Sequence, residues 1–394
     1  MNETLSHPTG HPLRTSGGGG KVKLLCVAGA RPNFMKLAPL MRVLERSAGF
    51  QPVLVHTGQH YDDTMSAQFF QQLRLKAPDH YLAVGSGSHA QQTAEIMKRF
   101  EPVVLSENPR GVVVVGDVNS TLACALVAVK LGISVIHVEA GLRSFDRSMP
   151  EEINRLVTDS ISDLFLITEE SARRNLLREG VPAERIHLVG NLMIDSLVHH
   201  LEEARQSAIL QRLGLKPRTY GVVTLHRPAN VDAPGQLAEL LGALEVIAGR
   251  FPLMFSVHPR TRARLEGAGV QQLRNITLLE PLGYLDFLHL MAESALVVTD
   301  SGGIQEETTA LGVRCLTLRN NTERPVTIEQ GTNTLAGTTK ESILDAWRRT
   351  VDQPLAGHTP PCWDGNAAAR CLSVLEDAFK PGGVLETTMP REVA

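Results

Sequence analysis

Short apolar runs alternate along the chain with segments whose apolar residues recur at helical spacing. Residues 22–28, 53–57 and 112–115 are typical of buried strands, and residues 34–46 and 63–75 have the period of a helix. The alternation continues to about residue 189, and no internal repeat is present. Strands and helices in this order build a parallel sheet that is covered by helices on both faces.

The alternation starts again after a polar, helix-like segment at residues 204–218. Further strand-like runs lie at residues 221–225, 253–257, 276–279, 296–299 and 315–318. The sequence therefore predicts an α/β protein with two doubly wound, Rossmann-like domains and a cleft between them.

The same pattern predicts the extent of each domain. We expect the N-terminal domain to comprise residues 21–195 and the C-terminal domain residues 196–363, with a final helix at 364–380 that packs back on the first domain. Residues 1–20 are polar and end in four glycines, so we expect them to form a disordered tail.

Composition narrows the class of function. The 394 residues contain 39 Lys and Arg against 42 Asp and Glu, a net charge of −3, so the chain lacks the basic character of a nucleic-acid-binding protein. No apolar run is long enough for a membrane span, and the N-terminus has no signal-peptide core, so a cytoplasmic protein without a membrane partner is expected. The five scattered cysteines include no CxxC pair, which favours reduced, buried thiols.

Polar residues follow the predicted strands at their carboxyl ends, where parallel sheets bind their ligands. The segment Asp300, Ser301, Gly302 and Gly303 leads from a strand into a helix, and such a turn lets backbone N–H groups approach a phosphate. Glu306 and Glu307, one turn further on, could accept the hydroxyls of a ribose; the alternative is that they only complement the helix dipole. Neither a P-loop nor a GxGxxG motif is present, which disfavours NAD.

Three carboxylates and one histidine are candidates for acid–base chemistry. Asp117 and Glu139 end neighbouring predicted strands and should converge, whereas Glu151 opens a helix behind Pro150. Such a set suits proton transfer, and a divalent metal is the competing use. His226 ends the first strand of the second half and should point into the cleft.

These polar turns, taken in order, resemble the motifs of the non-hydrolysing UDP-N-acetylglucosamine 2-epimerases. The matching segments are residues 29–36, 57–62, 116–121, 137–143, 150–155, 224–232, 300–307 and 322–325. The resemblance runs from about residue 21 to residue 340 and implies a GT-B-type fold, a homodimer, and neither a metal nor a nicotinamide cofactor.

The resemblance also implies a reaction. UDP leaves C1 of UDP-N-acetylglucosamine as C2 is deprotonated, and UDP then adds back to the 2-acetamidoglucal with a proton delivered to the opposite face, which gives UDP-N-acetylmannosamine. By resemblance, Asp117, Glu139 and Glu151 are the acid–base carboxylates and His226 assists at the phosphate side. The UDP-binding residues are expected to be Arg31, Lys36, Ser301, Gly302, Gly303, Glu307 and Arg324. Gln59, His60 and His258 are candidates for an allosteric UDP-sugar site.

Two segments depart from the commoner family pattern. Residues 29–33 read Gly-Ala-Arg-Pro-Asn where many members have Gly-Thr-Arg-Pro-Glu, and residues 225–230 also differ. These departures leave the sugar open, since relatives act on UDP-sugars with a 3-acetamido group or a uronate. Three further functions compete with the epimerase: a hydrolysing relative that releases N-acetylmannosamine, a GT-B glycosyltransferase and a non-catalytic UDP-sugar sensor.

Overall fold

The structure is a computed structural model that describes residues 20–59, 73, 75–257, 259–267, 273–355 and 357–385. It consists of two Rossmann-like domains, each built on a parallel sheet. The predicted helix at residues 63–75 and the predicted tail at residues 1–20 fall almost wholly outside the described residues.

The sheet of the first domain has seven strands in the order β3-β2-β1-β4-β5-β6-β7. The strands are β1 (Val22–Ala28), β2 (Phe50–His56), β3 (His80–Tyr81), β4 (Gly111–Val115), β5 (Ser134–Val138), β6 (Leu164–Ile167) and β7 (Ile186–Leu188). The helices are α1 (Arg31–Arg46), α2 (His89–Glu107), α3 (Asn119–Lys130), α4 (Pro150–Ile161), α5 (Glu170–Arg178), α6 (Leu192–Ala204) and the short α7 (Ile209–Arg212), with a 3₁₀ turn at Ala183–Arg185.

The sheet of the second domain has six parallel strands in the order β10-β9-β8-β11-β12-β13. The strands are β8 (Gly221–Thr224), β9 (Leu253–Ser256), β10 (Ile276–Leu279), β11 (Leu296–Thr299), β12 (Cys315–Thr317) and β13 (Asn333–Leu335). The helices are α8 (Pro228–Val231), α9 (Pro234–Ala248), α10 (Pro259–Gly267), α11 (Tyr284–Ala292), α12 (Gly302–Leu311), α13 (Val326–Glu329) and α14 (Lys340–Thr350), and α15 (Ala367–Phe379) follows them along the chain.

The strand order of each sheet reverses direction at one point, between β1 and β4 in the first domain and between β8 and β11 in the second. Connections leave such a point toward opposite faces, so a crevice opens at the carboxyl ends of the two strands. The turns after these four strands carry Arg31, Asp117, His226 and Asp300. The fold therefore places the candidate chemistry at both crevices.

The cores are built from aliphatic residues, as expected for strands buried on both faces. All five residues of β4, Gly111–Val115, are buried. The last helix, α15, returns to the first domain, where Cys371 and Leu375 pack in the same core as Leu37 and Leu40 of α1. Within the described part of the chain, no helix combines the length and the apolar content that a membrane span requires.

The elements differ from the sequence prediction mainly between the two sheets. The helix predicted at residues 204–218 lies earlier, as α6 (Leu192–Ala204), and only the short α7 forms after it. Helix α6 contacts α1 on one side and α11 and α12 on the other, so it fills the space between the domains.

Candidate active site

Glu139 lies at the centre of the cleft, directly after β5, and its side chain is buried. Lys36 of α1 forms an ion pair with Oε2 of Glu139, and Arg324 of the second domain donates from Nη2 to Oε1 at 2.7 Å. The backbone of Glu139 is left-handed, with φ +67°. A non-glycine residue in that region is strained, and such strain clusters at functional sites.

Arg324 shares one buried guanidinium among three carboxylates. Nη1 donates to Glu323, Nη2 donates to Glu139, and Nε lies 2.8 Å from Oε1 of Glu306. Burial alone would raise the pKa of Glu323, but Arg324 and Arg319 hold that pKa well below its ordinary value. The pKa of Arg324 itself is raised, because the surrounding carboxylates outweigh the effect of its burial.

Asp117 follows β4 and is bound by a second arginine, Arg155 of α4. Nε and Nη2 of Arg155 donate to Oδ2 of Asp117 at 3.0 and 2.6 Å. Burial would raise the pKa of Asp117, but Arg155, Lys36 and Arg324 together hold it below its ordinary value. Asp117 is therefore an anion in the field of the same cations that bind Glu139. A Cβ at the preceding residue, Gly116, would lie 4.0 Å from Oε2 of Glu139, which shows how closely the two turns approach.

The adjacent Glu151 and Glu152 occupy different environments in the first turn of α4. Glu151 is exposed, whereas Glu152 is buried and accepts hydrogen bonds from the amides of Ser144 and Phe145 at 3.0 and 2.9 Å. Glu152 also accepts from Nη1 of Arg155 at 2.5 Å. Glu152 thus connects the loop after Glu139 to the arginine that binds Asp117, while Glu151 is accessible to solvent.

His226 follows β8 and is half-exposed, with its imidazole against the buried Asp300. Nδ1 of His226 lies 2.8 Å from Oδ1 of Asp300, and Oδ2 of Asp300 accepts from the amide of Arg227 at 2.9 Å and from Asn230 at 3.1 Å. Burial would raise the pKa of Asp300, but these partners, His226 above all, hold it below its ordinary value. Asp300 therefore fixes the turn that presents His226.

The turn after β11 forms the N-terminus of α12. Ser301 is the N-cap residue, and its side chain makes no capping hydrogen bond. Gly302 packs so closely that a Cβ there would lie 2.8 Å from both Nη1 of Arg324 and Oε1 of Glu323. At Gly303 the nearest atom to such a Cβ would be Cε of Met193, at 3.5 Å. Glu307 is buried one turn further along α12.

The remaining predicted site residues are placed less fully. Arg31 begins α1, but its side chain lies outside the described part of the structure, as do His60 and His258. Gln59 is buried, and its Oε1 accepts hydrogen bonds from the amide and hydroxyl of Ser120 at 3.3 and 2.8 Å. The side-chain carbonyl of Gln59 therefore already serves to join the turns after β2 and β4.

Sequence reasoning assigned no role to three charged residues of this cleft, Glu152, Arg155 and Glu323, and it considered Glu306 only as a possible ribose contact. Two of them carried a signal, since Glu152 and Arg155 stand three residues apart on one helix face and form an ion pair. Glu323 adjoins Arg324 in the sequence, whereas only the tertiary fold brings Glu306 to Arg324. Among the described residues, no three His, Cys, Asp or Glu side chains gather as a metal-binding group.

Comparison with known proteins extends over most of the chain. The family model for UDP-N-acetylglucosamine 2-epimerase matches residues 42–376. The UDP-N-acetylglucosamine 2-epimerase of Methanococcus maripaludis is 40% identical over 369 residues, which cover 91% of this chain and 100% of that protein. The UDP-2,3-diacetamido-2,3-dideoxy-D-glucuronate 2-epimerase of Pseudomonas aeruginosa is 37% identical over 358 residues, 90% of this chain and 99% of that protein.

A solved structure has the same fold. It is the crystal structure of Methanocaldococcus jannaschii UDP-GlcNAc 2-epimerase in complex with UDP-GlcNAc and UDP, which matches with a TM-score of 0.83 and 40% identity, and the match covers 90% of this chain and 99% of that one. The predicted two-domain, GT-B-type fold and the predicted family are confirmed. The chain belongs to the UDP-N-acetylglucosamine 2-epimerase family and is an epimerase.

Proposed function

We propose that this protein is a non-hydrolysing epimerase that interconverts UDP-N-acetylglucosamine and UDP-N-acetylmannosamine. The observation that carries the proposal is Glu139, a buried carboxylate that is held between Lys36 of one domain and Arg324 of the other. Asp117 lies in the field of the same two cations. Carboxylates and cations therefore meet where both reacting parts of a UDP-sugar, the sugar and the diphosphate, have to be bound.

The reaction needs a base because the proton on C2 is not acidic. In the proposed path a carboxylate removes that proton, the electron pair forms the C1–C2 double bond, and UDP leaves with the C1–O electrons. Re-addition reverses these steps with a proton from the opposite face. Asp117, Glu139 and Glu151 supply the acid and base, and a closed cleft keeps UDP beside the glucal, which makes recombination effectively unimolecular.

The diphosphate of the substrate would compete with the Glu139 carboxylate for Lys36 and Arg324. When it binds to Lys36 and Arg324, the Glu139 carboxylate is released from its ion pairs and can take a proton from the sugar. Arg31, His226 and the uncapped turn of Ser301, Gly302 and Gly303 complete the proposed diphosphate site, because amides at a helix N-terminus favour an anion. Glu307 is proposed to bind the ribose.

We further propose that the protein acts as a homodimer in the cytoplasm, without a metal or nicotinamide cofactor, and that Gln59, His60 and His258 belong to an allosteric UDP-sugar site. The resemblance to the family supports these statements. Light scattering of the purified protein tests the dimer, and a sigmoidal dependence of rate on UDP-N-acetylglucosamine that is lost on substitution of His60 tests the allosteric site.

Turnover in D₂O tests the reaction itself. The proposal requires NMR to show deuterium at C2 of the recovered UDP-N-acetylglucosamine and UDP-N-acetylmannosamine, with no free sugar. Release of free N-acetylmannosamine and UDP would indicate the hydrolysing reaction instead. Recovery of UDP-sugar without label at C2 would refute epimerisation by proton transfer at that carbon.

A related substrate is a second candidate, because the Pseudomonas aeruginosa relative named for a UDP-2,3-diacetamido glucuronate is 37% identical over 90% of this chain. The two substrates differ at C3 and C6, so kcat/KM measured on both decides between them. A higher kcat/KM for UDP-N-acetylglucosamine supports the first candidate, and the opposite ratio supports the second.

A further inference from the structure

Glu306 lies behind Arg324 and has an unusual environment for a carboxylate. It is fully buried in α12, and neither of its oxygens has a hydrogen-bond donor among the described residues. Nε of Arg324 lies 2.8 Å from Oε1 of Glu306, yet its N–H does not point at that oxygen. An ionised carboxylate in such a place would be poorly satisfied, and that is costly in a protein interior.

The neighbouring carboxylates are satisfied in a way that Glu306 is not. Glu139 is bound by Lys36 and Arg324, and Glu323 accepts from Arg319 at 2.8 Å as well as from Arg324. Both Nη groups of Arg324 are thereby committed to other carboxylates. Of the three carboxylates around Arg324, Glu306 is the one that forms an ion pair with a single cation among the described residues, whereas Glu139 and Glu323 each meet two.

The first domain contributes another buried carboxyl group, Glu169, that interacts electrostatically with Glu306. Glu169, between β6 and α5, is buried, and one of its oxygens, Oε2, has no donor in the described part of the chain. The charge of Glu306 raises the pKa of Glu169, in addition to the larger effect of burial. Each of these two carboxyl groups, when it is ionised, makes the ionisation of the other less favourable.

We propose that Glu306 holds a proton in the resting enzyme and acts as a positioning residue, so that the full charge of Arg324 serves Glu139 and the diphosphate of the substrate. This inference rests on the proposed function, since it assumes that Arg324 binds the diphosphate. A neutral Glu306 packs against the guanidinium of Arg324 and does not neutralise its positive charge. An ionised Glu306 would compete with the diphosphate for Arg324.

Rising pH should therefore weaken the binding of the diphosphate. The charged groups that act on Glu306 come from several elements: Arg324 and Lys36 favour its anion, whereas Glu139 and Glu169 oppose it. Burial outweighs the two cations and raises the pKa of Glu306 above its ordinary value. The neighbouring helix α6 carries a further carboxylate, Asp195, which accepts hydrogen bonds from the amides of Ala367 and Ala368 of α15 at 3.0 and 2.7 Å.

The substitutions Glu306→Gln and Glu323→Gln form a matched pair, because both remove one possible charge beside the same guanidinium. Infrared difference spectra of the resting full-length enzyme at neutral pH test the proton directly. The wild type minus E306Q difference should contain a carboxylic-acid carbonyl band, and the wild type minus E323Q difference should not. Absence of that band in the E306Q difference overturns the proposal.

Calorimetric titration with UDP tests the positioning role. The affinity of the wild type for UDP should fall about tenfold as Glu306 ionises on raising the pH, and E306Q should lose most of that decline. E323Q removes a carboxylate from the same guanidinium, so it should bind UDP no more weakly than the wild type, and it should keep the decline because its Glu306 can still ionise. An E306Q variant that shows the wild-type decline contradicts the proposal, and so does one that fails to fold, because glutamine has the shape of the neutral acid.

The outcome is separable from the fate of the proposed function. The infrared band and the UDP titration need no turnover, so an enzyme that binds UDP in this way but does not exchange the C2 proton would refute the epimerase proposal alone. Conversely, C2 exchange in a protein without the acid band would refute only the role of Glu306.

Discussion

At the scale of single residues, Glu139 has a strained, left-handed backbone, and its carboxylate forms ion pairs with Lys36 of the first domain and Arg324 of the second. A left-handed conformation costs a non-glycine residue about 1–2 kcal/mol, so the surrounding turn must hold it in place. The Glu139 carboxylate is thus positioned by backbone and charge together, as expected for a group that must meet one face of a sugar.

The substitution Glu139→Gln tests that role. It keeps the shape of the side chain but removes the base, so we expect kcat to fall by about 10²- to 10⁴-fold. Binding of UDP should not weaken, because Lys36 and Arg324 no longer have the Glu139 charge to neutralise. Stopped-time NMR of C2 exchange and calorimetry with UDP measure the two effects. An active E139Q enzyme would exclude Glu139 as an acid or base.

The adjacent Glu151 and Glu152 offer a second comparison between residues. Glu152→Gln leaves one of its amide donors or Arg155 unsatisfied in a buried site, so the free energy of unfolding should fall by about 2 kcal/mol. Glu151→Gln, at an exposed position, should change that free energy by less than about 0.5 kcal/mol.

Urea unfolding followed by circular dichroism measures both variants, and their turnover is measured in parallel. The expected pattern is loss of turnover without loss of stability in E151Q. Equal stability losses in the two variants would show that Glu151 is as deeply engaged in the fold as Glu152.

At the scale of elements, the turn from β11 into α12 depends on the size of one residue. A Cβ at Gly302 would meet Arg324 and Glu323 at 2.8 Å, whereas a Cβ at Gly303 would make only an ordinary contact. We expect Gly302→Ala to lower the free energy of unfolding by about 1–3 kcal/mol, and Gly303→Ala to lower it by less than about 0.5 kcal/mol. Urea unfolding of the two variants, compared with the wild type, checks the difference.

The sequence was informative about elements wherever the apolar pattern was continuous. Strands such as Val22–Ala28 and Ile276–Leu279 have the predicted bounds. The edge strands β3 (His80–Tyr81) and β13 (Asn333–Leu335) were missed, because two or three residues of mixed polarity carry no periodic signal. The strand ends predicted the turns of Asp117, Glu139 and His226, but not the charged partner of each side chain, since Arg155, Arg324 and Asp300 lie far from them in the sequence.

At the scale of the whole molecule, Glu169 makes stability depend on pH. Burial raises the pKa of Glu169 to about 7. Since this exceeds the value of about 4.5 in the unfolded chain, the folded state binds the proton more tightly, and stability declines as pH rises from about 4.5 through about 7. The E169Q variant has no carboxyl group at this position, so its stability should not show that decline.

Chemical unfolding at about pH 5 and about pH 8 measures the effect. The free energy of unfolding of E169Q minus that of the wild type should be about 2 kcal/mol larger at about pH 8 than at about pH 5. Parallel pH dependence of the two proteins would mean that Glu169 is not buried as an acid.

The predicted boundary between the domains, at residues 195 and 196, stays a prediction. Helix α6 (Leu192–Ala204) spans this boundary and contacts both domains.

The position of α15 has a consequence for how the protein is made. This helix packs on α1, and its first amides are bound by Asp195, yet it is encoded after the whole second sheet. A ribosome that has just finished the first sheet has therefore not yet produced the helix that covers part of its core. The second sheet, continuous from Gly221 to Leu335, can form as a unit during synthesis, while the first domain is completed only when the chain is nearly finished.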